Sequence, residues 1–420
     1  MIHAPKGVED VLPPRASDYY QIEKEASAFF TLYGYRQIRI PTFERTELFL
    51  RSVGEETDVG KQMYVFQDKG GRSISLRPEG TAGIARSYVE HKIYSQEKDW
   101  KVYYTGPMFR YERPQAGRLR EFYQIGVECF GEKSWWLDVE IMEIAYRFLK
   151  KIKLDNIQIQ INSIGCKNCR VEYIEKLKFY LKEHINFFCD TCKRRFQHNP
   201  LRILDCKKKR CRAFLEKAPQ IEDFLCFSCK EHFDNVKKEL SATGVIYKQN
   251  PYLVRGLDYY TRTIFEITSS YLGAQDTICA GGRYDDLIEE LGGPPTPAMG
   301  FAIGLERLLI SLKEAGVQVS TFSVPRIFVI TIGQECAGEG MRLSSMIRAQ
   351  GIQAKTNFAD RGLSAQLKQA NKEGFPWVLI VGEEEIKKKK YILRNMDSSK
   401  QRLIDAKDLE VISEVLKGGV

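Results

Sequence analysis

The arginines of this sequence recur where strands are predicted to end. Four of them lie in or near one predicted loop, in GPMFRYERPQAGRLREFYQIGVE (106–128): Arg110, Arg113, Arg118 and Arg120. A guanidinium donates two hydrogen bonds in one plane, a geometry that matches phosphate oxygens. The strand that follows alternates, so Gln124, Gly126 and Glu128 share one face. Because glutamine and glutamate are costly to bury in a core, this face is predicted to meet a polar ligand beside the arginines.

Two further segments combine polar side chains with glycine-containing turns. LRPEGT (76–81) offers the carboxylate of Glu79 and the hydroxyl of Thr81 to a ligand, or simply forms a turn with a helix N-cap at Thr81. TPAMGFAIGLERLL (296–309) leads from a glycine-rich strand into a helix that carries Arg307. On its own, this second segment could equally be an ordinary strand-to-helix turn with a surface arginine.

Periodic hydrophobic patterns indicate the elements that position these groups. Apolar residues recur at helical spacing over 18–33 and 138–151. Strands are predicted at 62–67, 73–77, 101–105, 122–130 and 157–162. The first two of these strands flank DKGGR and therefore predict a hairpin. Many strands in hairpin succession imply an antiparallel sheet, and hence an α+β domain.

The rest of the chain changes in character twice. Residues 164–250 are rich in cysteine and basic residues, and strand patterns then return until about residue 310. A linker is predicted at 313–325. After Pro325 the patterns alternate between strand and helix, which predicts a compact α/β domain with a largely parallel sheet.

Composition and charge restrict the classes of function. The chain has 420 residues, of which 43% are hydrophobic and 28% charged, as in ordinary folded proteins. No apolar run reaches the ~18 residues of a membrane span, and the N-terminus lacks the apolar core of a signal peptide, so we expect a cytoplasmic protein without a membrane segment. The net charge is +9; residues 164–250 hold 19 Lys/Arg against 11 Asp/Glu, and residues 325–420 hold 16 against 12. Two basic parts favour a polyanion contacted at two places, although solvated basic faces would give the same counts.

Eight of the eleven cysteines lie between residues 166 and 229. In a reducing compartment such thiols are metal ligands or free thiols more often than disulfides. They form three CxxC pairs and two single positions: Cys166, Cys169, Cys189, Cys192, Cys206, Cys211, Cys226 and Cys229. The first two pairs are separated by 19 residues, which fits one four-thiolate zinc site, and eight thiols suffice for two such sites. The alternative is a helical insertion with cysteines as small apolar fillers, and the ligand subset stays open.

Taken in order, the motifs resemble those of class II aminoacyl-tRNA synthetases, and most closely those of the histidyl-tRNA synthetase family. IRIPTFERTELFLRSVGEETD (38–58) looks like the first motif of that class, the arginine loop like the second and GFAIGLERL (300–308) like the third. LVRGLDYYTRTIFE (253–266) and AGGRYDDL (280–287) resemble two stretches characteristic of the histidine enzymes. The resemblance runs from about residue 3 to the C-terminus, with a variable middle.

The resemblance implies an α+β architecture. A class II catalytic domain with an antiparallel sheet would carry a mainly helical, Cys-rich insertion and be followed by a C-terminal α/β anticodon-binding domain. The expected divisions are 1–163 and 251–324 for the two parts of the catalytic domain, 164–250 for the insertion and 325–420 for the anticodon-binding domain. The first motif implies a homodimer.

The resemblance also implies a reaction in two steps. The carboxylate of L-histidine attacks the α-phosphate of ATP, with Mg²⁺ bridging the phosphates, to give histidyl-adenylate and pyrophosphate. The acyl group then moves to the terminal ribose of tRNA(His). By resemblance, Arg255 and Arg110 act on the α-phosphate as catalytic residues. The residues implied in ATP binding are Arg110, Arg118, Arg307 and Glu112.

The remaining site residues follow from the same resemblance and from the basic insertion. Those implied in histidine binding are Glu79, Thr81, Gln124, Glu128, Arg255, Tyr259, Tyr260 and Tyr284. Contacts to tRNA are expected from Gln115 and, within the basic stretch 190–212, from Arg194, Arg195, Lys207 and Lys208. Whether Glu79 or Glu128 helps to hold Mg²⁺ stays open.

A regulatory paralogue is the main alternative function. Such a protein binds histidine without catalysis and controls histidine biosynthesis; it usually lacks the C-terminal domain and has lost the ATP-binding arginines. Here Arg110, Arg118, Arg255 and Arg307 are all present, as is the segment after Pro325. The sequence therefore favours the enzyme.

Overall fold

The structure is a computed structural model. It describes residues 2–54, 57, 59–273, 276–319, 326–356, 361–405 and 410–417. These residues form two compact units, one within 1–319 and one within 320–420. Residues 320–325 of the predicted linker lie outside the described residues, as do 55, 56 and 58 of the segment that resembles the first motif. No helix in the described ranges combines the length and the hydropathy that crossing a bilayer requires.

An eight-stranded sheet forms the centre of the first unit. Its strands, in spatial order, are Arg36–Gln37, Trp100–Phe109, Glu121–Phe130, Ala298–Gly304, Thr277–Arg283, Thr261–Ser269, Ile157–Ser163 and Tyr247–Gln249. The six central strands pair antiparallel, and the short strand at each edge pairs parallel with its neighbour. The prediction of an antiparallel sheet with helices is confirmed.

One face of this sheet carries the main hydrophobic core. Helices Arg15–Thr31, Trp135–Lys151 and Leu305–Glu314 pack against it. On the strand Glu121–Phe130, the buried side chains that join this core alternate with those of Gln124 and Glu128, which lie on the opposite, polar face. The strand thus separates an apolar layer from the side on which the candidate ligands would bind.

Smaller elements surround the large sheet of this unit. A second antiparallel sheet contains Phe43–Arg45, Ser73–Leu76 and Val65–Gln67, so the predicted hairpin is present with a shorter first strand. The remaining helices are Thr46–Val53, Thr81–Glu90 and Leu287–Glu290.

The cysteine-rich segment folds mainly as helices: Lys167–His184, Asp190–His198, Lys209–Leu215 and Phe227–Ala242. A buried network joins the last of them to the sheet. Arg283 donates to Asp138 at 2.6 Å, and His232 Nε2 lies 2.9 Å from the other oxygen of Asp138. Because the side chains of Asp138 and Arg283 are fully buried, each compensates the desolvation of the other.

The second unit is a five-stranded sheet with helices. Its strands, in spatial order, are Gln353–Thr356, Arg326–Thr331, Trp377–Val381, Lys390–Asn395 and Gln401–Asp405. Its helices are Ala337–Ala349, Leu363–Lys372, Glu383–Lys388 and Glu410–Lys417. The first three strands pair parallel, as predicted. The prediction of a largely parallel sheet is wrong for the last two, which pair antiparallel. Residues 396–400 join them, a connection too short for a parallel crossover.

Candidate active site

The polar face of the eight-stranded sheet opens into a cavity of about 670 Å³. Four arginines from three separate segments of the sequence line it: Arg110, Arg118, Arg255 and Arg307. The first two come from the loop between neighbouring strands, the third precedes the strand Thr261–Ser269, and the last lies in the first turn of the helix Leu305–Glu314. The sheet therefore gathers positive charge at one place, as a polyphosphate ligand requires.

Most of the other predicted site residues line the same cavity: Glu79, Thr81, Glu112, Gln124, Tyr259, Tyr260, Tyr284, Arg195, Lys207 and Lys208. Glu128 lies behind this lining, almost fully buried. Gln115 and Arg194 are exposed and lie outside the lining that the described residues form.

Glu79 caps the helix Thr81–Glu90 from inside the cavity. Its carboxylate accepts hydrogen bonds from the backbone N–H groups of Thr81 at 2.7 Å and Ala82 at 2.8 Å. Burial raises the pKa of Glu79, although these two bonds act in the opposite direction. The sequence suggested Thr81 as the N-cap of this helix, but the carboxylate of Glu79 caps it instead. The hydroxyl of Thr81 is therefore free to donate to a different side chain.

That partner is Glu128. The Thr81 hydroxyl donates to Glu128 Oε1 at 2.6 Å, and the Tyr284 hydroxyl donates to Oε2. Burial raises the pKa of Glu128 to about 8, against the opposing effect of the two donors. Gly300 lies opposite Glu128 on the next strand, and a Cβ at that position would lie 1.8 Å from Oε2. Only glycine leaves room for this carboxyl group.

Arg255 is held by a chain of side chains that the sequence did not reveal. It forms an ion pair with Glu266, whose second oxygen accepts a hydrogen bond from the Thr277 hydroxyl at 2.8 Å. Its guanidinium carbon also lies 5.7 Å from the centre of the Tyr260 ring. The Nε of Arg255 and the Oε1 of Gln124 are buried without a hydrogen-bond partner among the described residues. Since buried polar atoms are normally paired, both are suited to a ligand in the cavity.

The other arginines are positioned by packing as well as by charge. Arg110 Nε donates to the carbonyl of Pro78 at 2.9 Å, and its guanidinium lies 5.2 Å from the centre of the Phe122 ring. Arg118 and Glu112 form an ion pair at 3.4 Å. Burial, together with the nearby charge of Arg118, lowers the pKa of Arg307. These cations are thus crowded in partly dry surroundings, where an anion would relieve their mutual repulsion.

Aromatic rings form the deeper side of the cavity. Tyr259 packs 4.8 Å from Tyr260 and 5.6 Å from Tyr284, measured between ring centres. Tyr104, which sequence reasoning missed, also lines it, and its ring fills the space that Cβ atoms at Gly80 and Gly126 would occupy. Strand alternation could have placed Tyr104 on the polar face, but only once its pairing with Gly126 was known.

The insertion contributes one side of the cavity. Arg195, Lys207 and Lys208 line it, and we call these three residues the cationic wall. Asn199 in the same segment donates to Asp258 at 3.0 Å, which links the insertion to the segment just after Arg255.

The eight clustered cysteines form two groups of four. In the inner cluster, Cys189, Cys192, Cys206 and Cys211, and in the outer cluster, Cys166, Cys169, Cys226 and Cys229, the sulfur atoms lie within 4.8 Å of one another. Pairing of the first two CxxC motifs in one site is therefore wrong. The helix Lys167–His184 separates them, and its 18 residues span about 27 Å. No disulfide joins the cysteines of the described ranges.

Comparison with known proteins identifies the family. A model of the family described as histidyl-tRNA synthetase matches residues 7–168 and 209–308. The chain belongs to the histidyl-tRNA synthetase family. A second model, described as an anticodon binding domain, matches residues 326–416. The stretch 169–208, which the synthetase model leaves unmatched, holds most of the inner cluster.

Individual members of the histidyl-tRNA synthetase family match nearly the whole chain. A histidine–tRNA ligase from Caldanaerobacter subterraneus subsp. tengcongensis is 46% identical over 408 residues, or 97% of this chain and 98% of that protein. One from Thermodesulfovibrio yellowstonii is 47% identical over 397 residues, or 94% of each. The crystal structure of apo histidyl-tRNA synthetase from S. aureus has a TM-score of 0.83 at 35% identity and covers 98% of this chain and 100% of that chain. An ATP phosphoribosyltransferase regulatory subunit/histidyl-tRNA synthetase from Bacillus halodurans, at 22% identity and a TM-score of 0.67, covers 91% of this chain and 98% of that chain and shares the fold alone.

Proposed function

We propose that this chain is a histidine–tRNA ligase, which attaches histidine to tRNA(His) in two ATP-dependent steps. In the first, a carboxylate oxygen of histidine forms a bond to the α-phosphorus of ATP while the bond to the bridging oxygen breaks and pyrophosphate leaves. In the second, a ribose hydroxyl of tRNA attacks the acyl carbon and AMP leaves. The observation that carries the proposal is the convergence of four arginines of a synthetase-family chain on one cavity, beside a buried carboxyl group.

The arginines divide the work on the phosphates. Arg110 and Arg255 stabilise the charge that builds on the α-phosphate in the transition state, while Arg118 and Arg307 bind the outer phosphates. The ion pair with Glu266 fixes the Arg255 guanidinium before substrate arrives, so little reorganisation accompanies the reaction. One such preorganised stabiliser contributes about 10²–10³ in rate.

The amino acid is recognised on the other side of the α-phosphate. Gln124, with its unpaired Oε1, and Glu79 and Thr81 face the α-amino group. Glu128 and Tyr260 bind the imidazole, and Tyr259 and Tyr284 form the walls of the pocket. Because buried polar groups would be left unpaired by an apolar amino acid, such a pocket rejects apolar analogues by about 10⁴–10⁵.

Two kinds of metal ion belong to the proposal. ATP binds with Mg²⁺, which prefers phosphate and water oxygens with few protein ligands. Glu112 and Glu266 each form an ion pair with one of the arginines, so the phosphates of ATP would supply most of the ligands of the ion. The clustered cysteines of the insertion hold structural zinc, since four close sulfur atoms are the usual donor set for that ion.

The active form is proposed to be a cytoplasmic homodimer. The small sheet that adjoins the segment resembling the first motif exposes large apolar side chains, with Phe43 59%, Val65 50% and Phe66 46% accessible. Exposed apolar patches on a folded protein mark interaction surfaces, and a second copy of the chain is the partner proposed here. Light scattering on the purified protein should give twice the mass of 48.4 kDa, and Phe66→Lys should shift the protein towards the monomer.

The regulatory alternative receives less support. A protein that only binds histidine has no need of four arginines around one cavity of about 670 Å³, or of a domain that matches the anticodon-binding model.

Histidine-dependent exchange of pyrophosphate into ATP tests the proposed function. Exchange should require histidine and no other amino acid, and tRNA(His) should then accept histidine. Arg255→Ala should lower exchange about 10²–10³-fold in a protein that remains folded. Arg113→Ala is the matched control, because Arg113 is an exposed arginine outside the cavity lining that the described residues form. Histidine binding without exchange in the wild type would favour the regulatory protein.

A further inference from the structure

The inner cluster directly adjoins the catalytic cavity. Cys189 and Cys206 are among the cavity-lining residues, whereas Cys192 and Cys211 lie behind them, and all four side chains are buried. None of the cysteines in the outer cluster lines the cavity that the described residues enclose. The two clusters therefore differ in what they could influence.

The geometry of the inner cluster fits a tetrahedral metal site. Zinc–sulfur bonds of about 2.3 Å place the four sulfur atoms about 3.8 Å apart. The Sγ atoms of Cys189 and Cys206 are 4.0 Å apart, and all four lie within 4.8 Å of one another. The backbone N–H of Cys189 also donates to Sγ of Cys211 at 3.4 Å, a bond that stabilises a ligand from outside its coordination shell.

Charge gives a second reason for a metal here. Residues 190–212 include nine Lys/Arg and only two Asp. The basic side chains therefore repel one another in any compact arrangement. Zinc bound by four thiolates carries two net negative charges at the centre of this segment. The site thus offsets the repulsion and supplies the cross-link that so short a segment, with little apolar core of its own, needs in order to fold.

The ligands of the cluster hold the cationic wall in place. Lys207 and Lys208 follow Cys206 directly, and Arg195 lies one helical turn after Cys192 on the helix Asp190–His198. Arg195 donates to the carbonyl of Arg202 at 2.9 Å, which closes the segment on itself. Lys207 is 79% exposed, and its Nζ lies 3.4 Å from Asp205 Oδ1, so an anion that arrives from solvent can reach it.

We propose that zinc in the inner cluster positions the cationic wall to receive the phosphates of the single-stranded 3′ end of tRNA, and that its occupancy controls tRNA charging but not adenylate formation. The inference rests on the proposed function and adds that its second step, the transfer of histidine to tRNA, depends on the bound metal. The four arginines suffice for ATP, whereas the cationic wall serves the polyanion whose end must enter the same cavity.

Three full-length variants separate the metal from the wall. Cys211→Ser removes a ligand that does not line the cavity, so its effect on catalysis passes through the cluster. Lys207→Ala/Lys208→Ala removes two charges of the wall and keeps all the thiols. Lys209→Ala/Arg210→Ala removes two neighbouring exposed charges that lie outside the cavity lining.

Metal content, cobalt spectra and the two half-reactions are then measured on each protein. The wild type should hold two zinc ions per chain and, after substitution with Co²⁺, show the absorption bands of tetrahedral tetrathiolate sites. Cys211→Ser should lose one ion. In both Cys211→Ser and the Lys207/Lys208 variant, kcat/KM for tRNA should fall about ten-fold or more, and by a clearly larger factor than histidine-dependent pyrophosphate exchange. The Lys207/Lys208 variant should keep both ions and lower the salt dependence of tRNA binding by about 1.4 in log–log slope.

Several outcomes would overturn the inference. The first is an equal zinc content in the wild type and Cys211→Ser. The second is a loss of exchange as large as the loss of charging, in Cys211→Ser or in the Lys207/Lys208 variant. The third is a loss of charging in the Lys209/Arg210 control as large as that in the Lys207/Lys208 variant. If Cys211→Ser does not fold, removal and restoration of zinc in the wild type must reproduce the selective loss and recovery of charging. A wild type that holds two zinc ions but performs no exchange would refute the proposed function and leave the metal site standing.

Discussion

Glu128 is deeply buried and accepts hydrogen bonds from two hydroxyl groups. Burial favours its protonated form, whereas the two hydrogen bonds favour the carboxylate. Burial raises the pKa of this carboxyl from 4.5 to about 8, so at neutral pH the folded protein holds a proton there that the unfolded chain would release. Stability contributed by this group is therefore present below pH 4.5 and declines as the pH rises towards 8. An imidazole N–H, in contrast, needs the carboxylate as its acceptor.

Because the folded protein favours protonated Glu128 whereas the imidazole requires the carboxylate, we predict that histidine binding depends on pH. Between pH 7 and 8.5 the ionised fraction of Glu128 should rise from about one tenth to about three quarters, and the KM for histidine in pyrophosphate exchange should fall several-fold. Free histidine also titrates in solution. Glu128→Gln is therefore the control, because it is assayed with the same histidine but has no carboxyl group at position 128. The variant should bind histidine more weakly and lose this part of the pH dependence. If the KM for histidine depended on pH equally in both proteins, the titrating group would be histidine itself and not Glu128.

At the scale of the elements, the site depends on how neighbouring strands pair. Glu128 and Gly300 are directly opposite each other on Glu121–Phe130 and Ala298–Gly304. A methyl group at Gly300 would meet Glu128 Oε2 at 1.8 Å and the Val127 carbonyl at 2.4 Å, so neither strand can accept it without shifting. Gly304, on the same strand, has nothing within 4 Å of such a Cβ.

Gly300→Ala should therefore destabilise the protein by about 1–3 kcal/mol, the usual cost of overpacking. Gly304→Ala should leave the midpoint of urea unfolding close to that of the wild type. Gly300→Ala should also weaken histidine binding, because the displaced carboxyl group is the proposed imidazole ligand. Equal unfolding midpoints for the two variants would show that the strand pair adjusts more freely than the structure indicates.

Local sequence patterns were sufficient for the faces of the strands but not for their partners. Alternation correctly placed Gln124 and Glu128 on the polar face. It could not show that Gly300 lies opposite Glu128, since register between strands distant in sequence is a property of the whole sheet. The ion pair of Arg255 with Glu266 was missed for another reason: Arg255 precedes the strand Thr261–Ser269, so strand alternation does not place its side chain.

The cysteines illustrate the same limit. Spacing predicted zinc-type knuckles, yet the pairing depends on where the intervening helix Lys167–His184 carries the chain. In the second unit, the strand–helix pattern predicted the parallel strands, while the final hairpin was set by a short connection rather than by strand composition.

The two basic parts of the chain, 164–250 and 325–420, lie in separately compact units. The insertion belongs to the unit within 1–319, and the unit within 320–420 matches an anticodon-binding model. When two contacts are linked in one chain, binding at the first raises the effective concentration at the second, which strengthens overall binding by about 10²–10⁴. Within the described ranges, the candidate active-site cavity is lined only by residues of the first unit.

Removal of residues 320–420 should therefore separate the two half-reactions. Histidine-dependent pyrophosphate exchange should continue at a rate near that of the full chain, because every residue proposed to bind ATP or histidine is retained. The affinity for tRNA(His) should fall by about 10²–10⁴, measured by filter binding at fixed salt. A full-length protein in which the second unit's exposed Lys387 and Lys388 are both changed to Ala is the control for charge alone, and should lose far less. Loss of exchange on truncation would instead show that the second unit supports the catalytic fold.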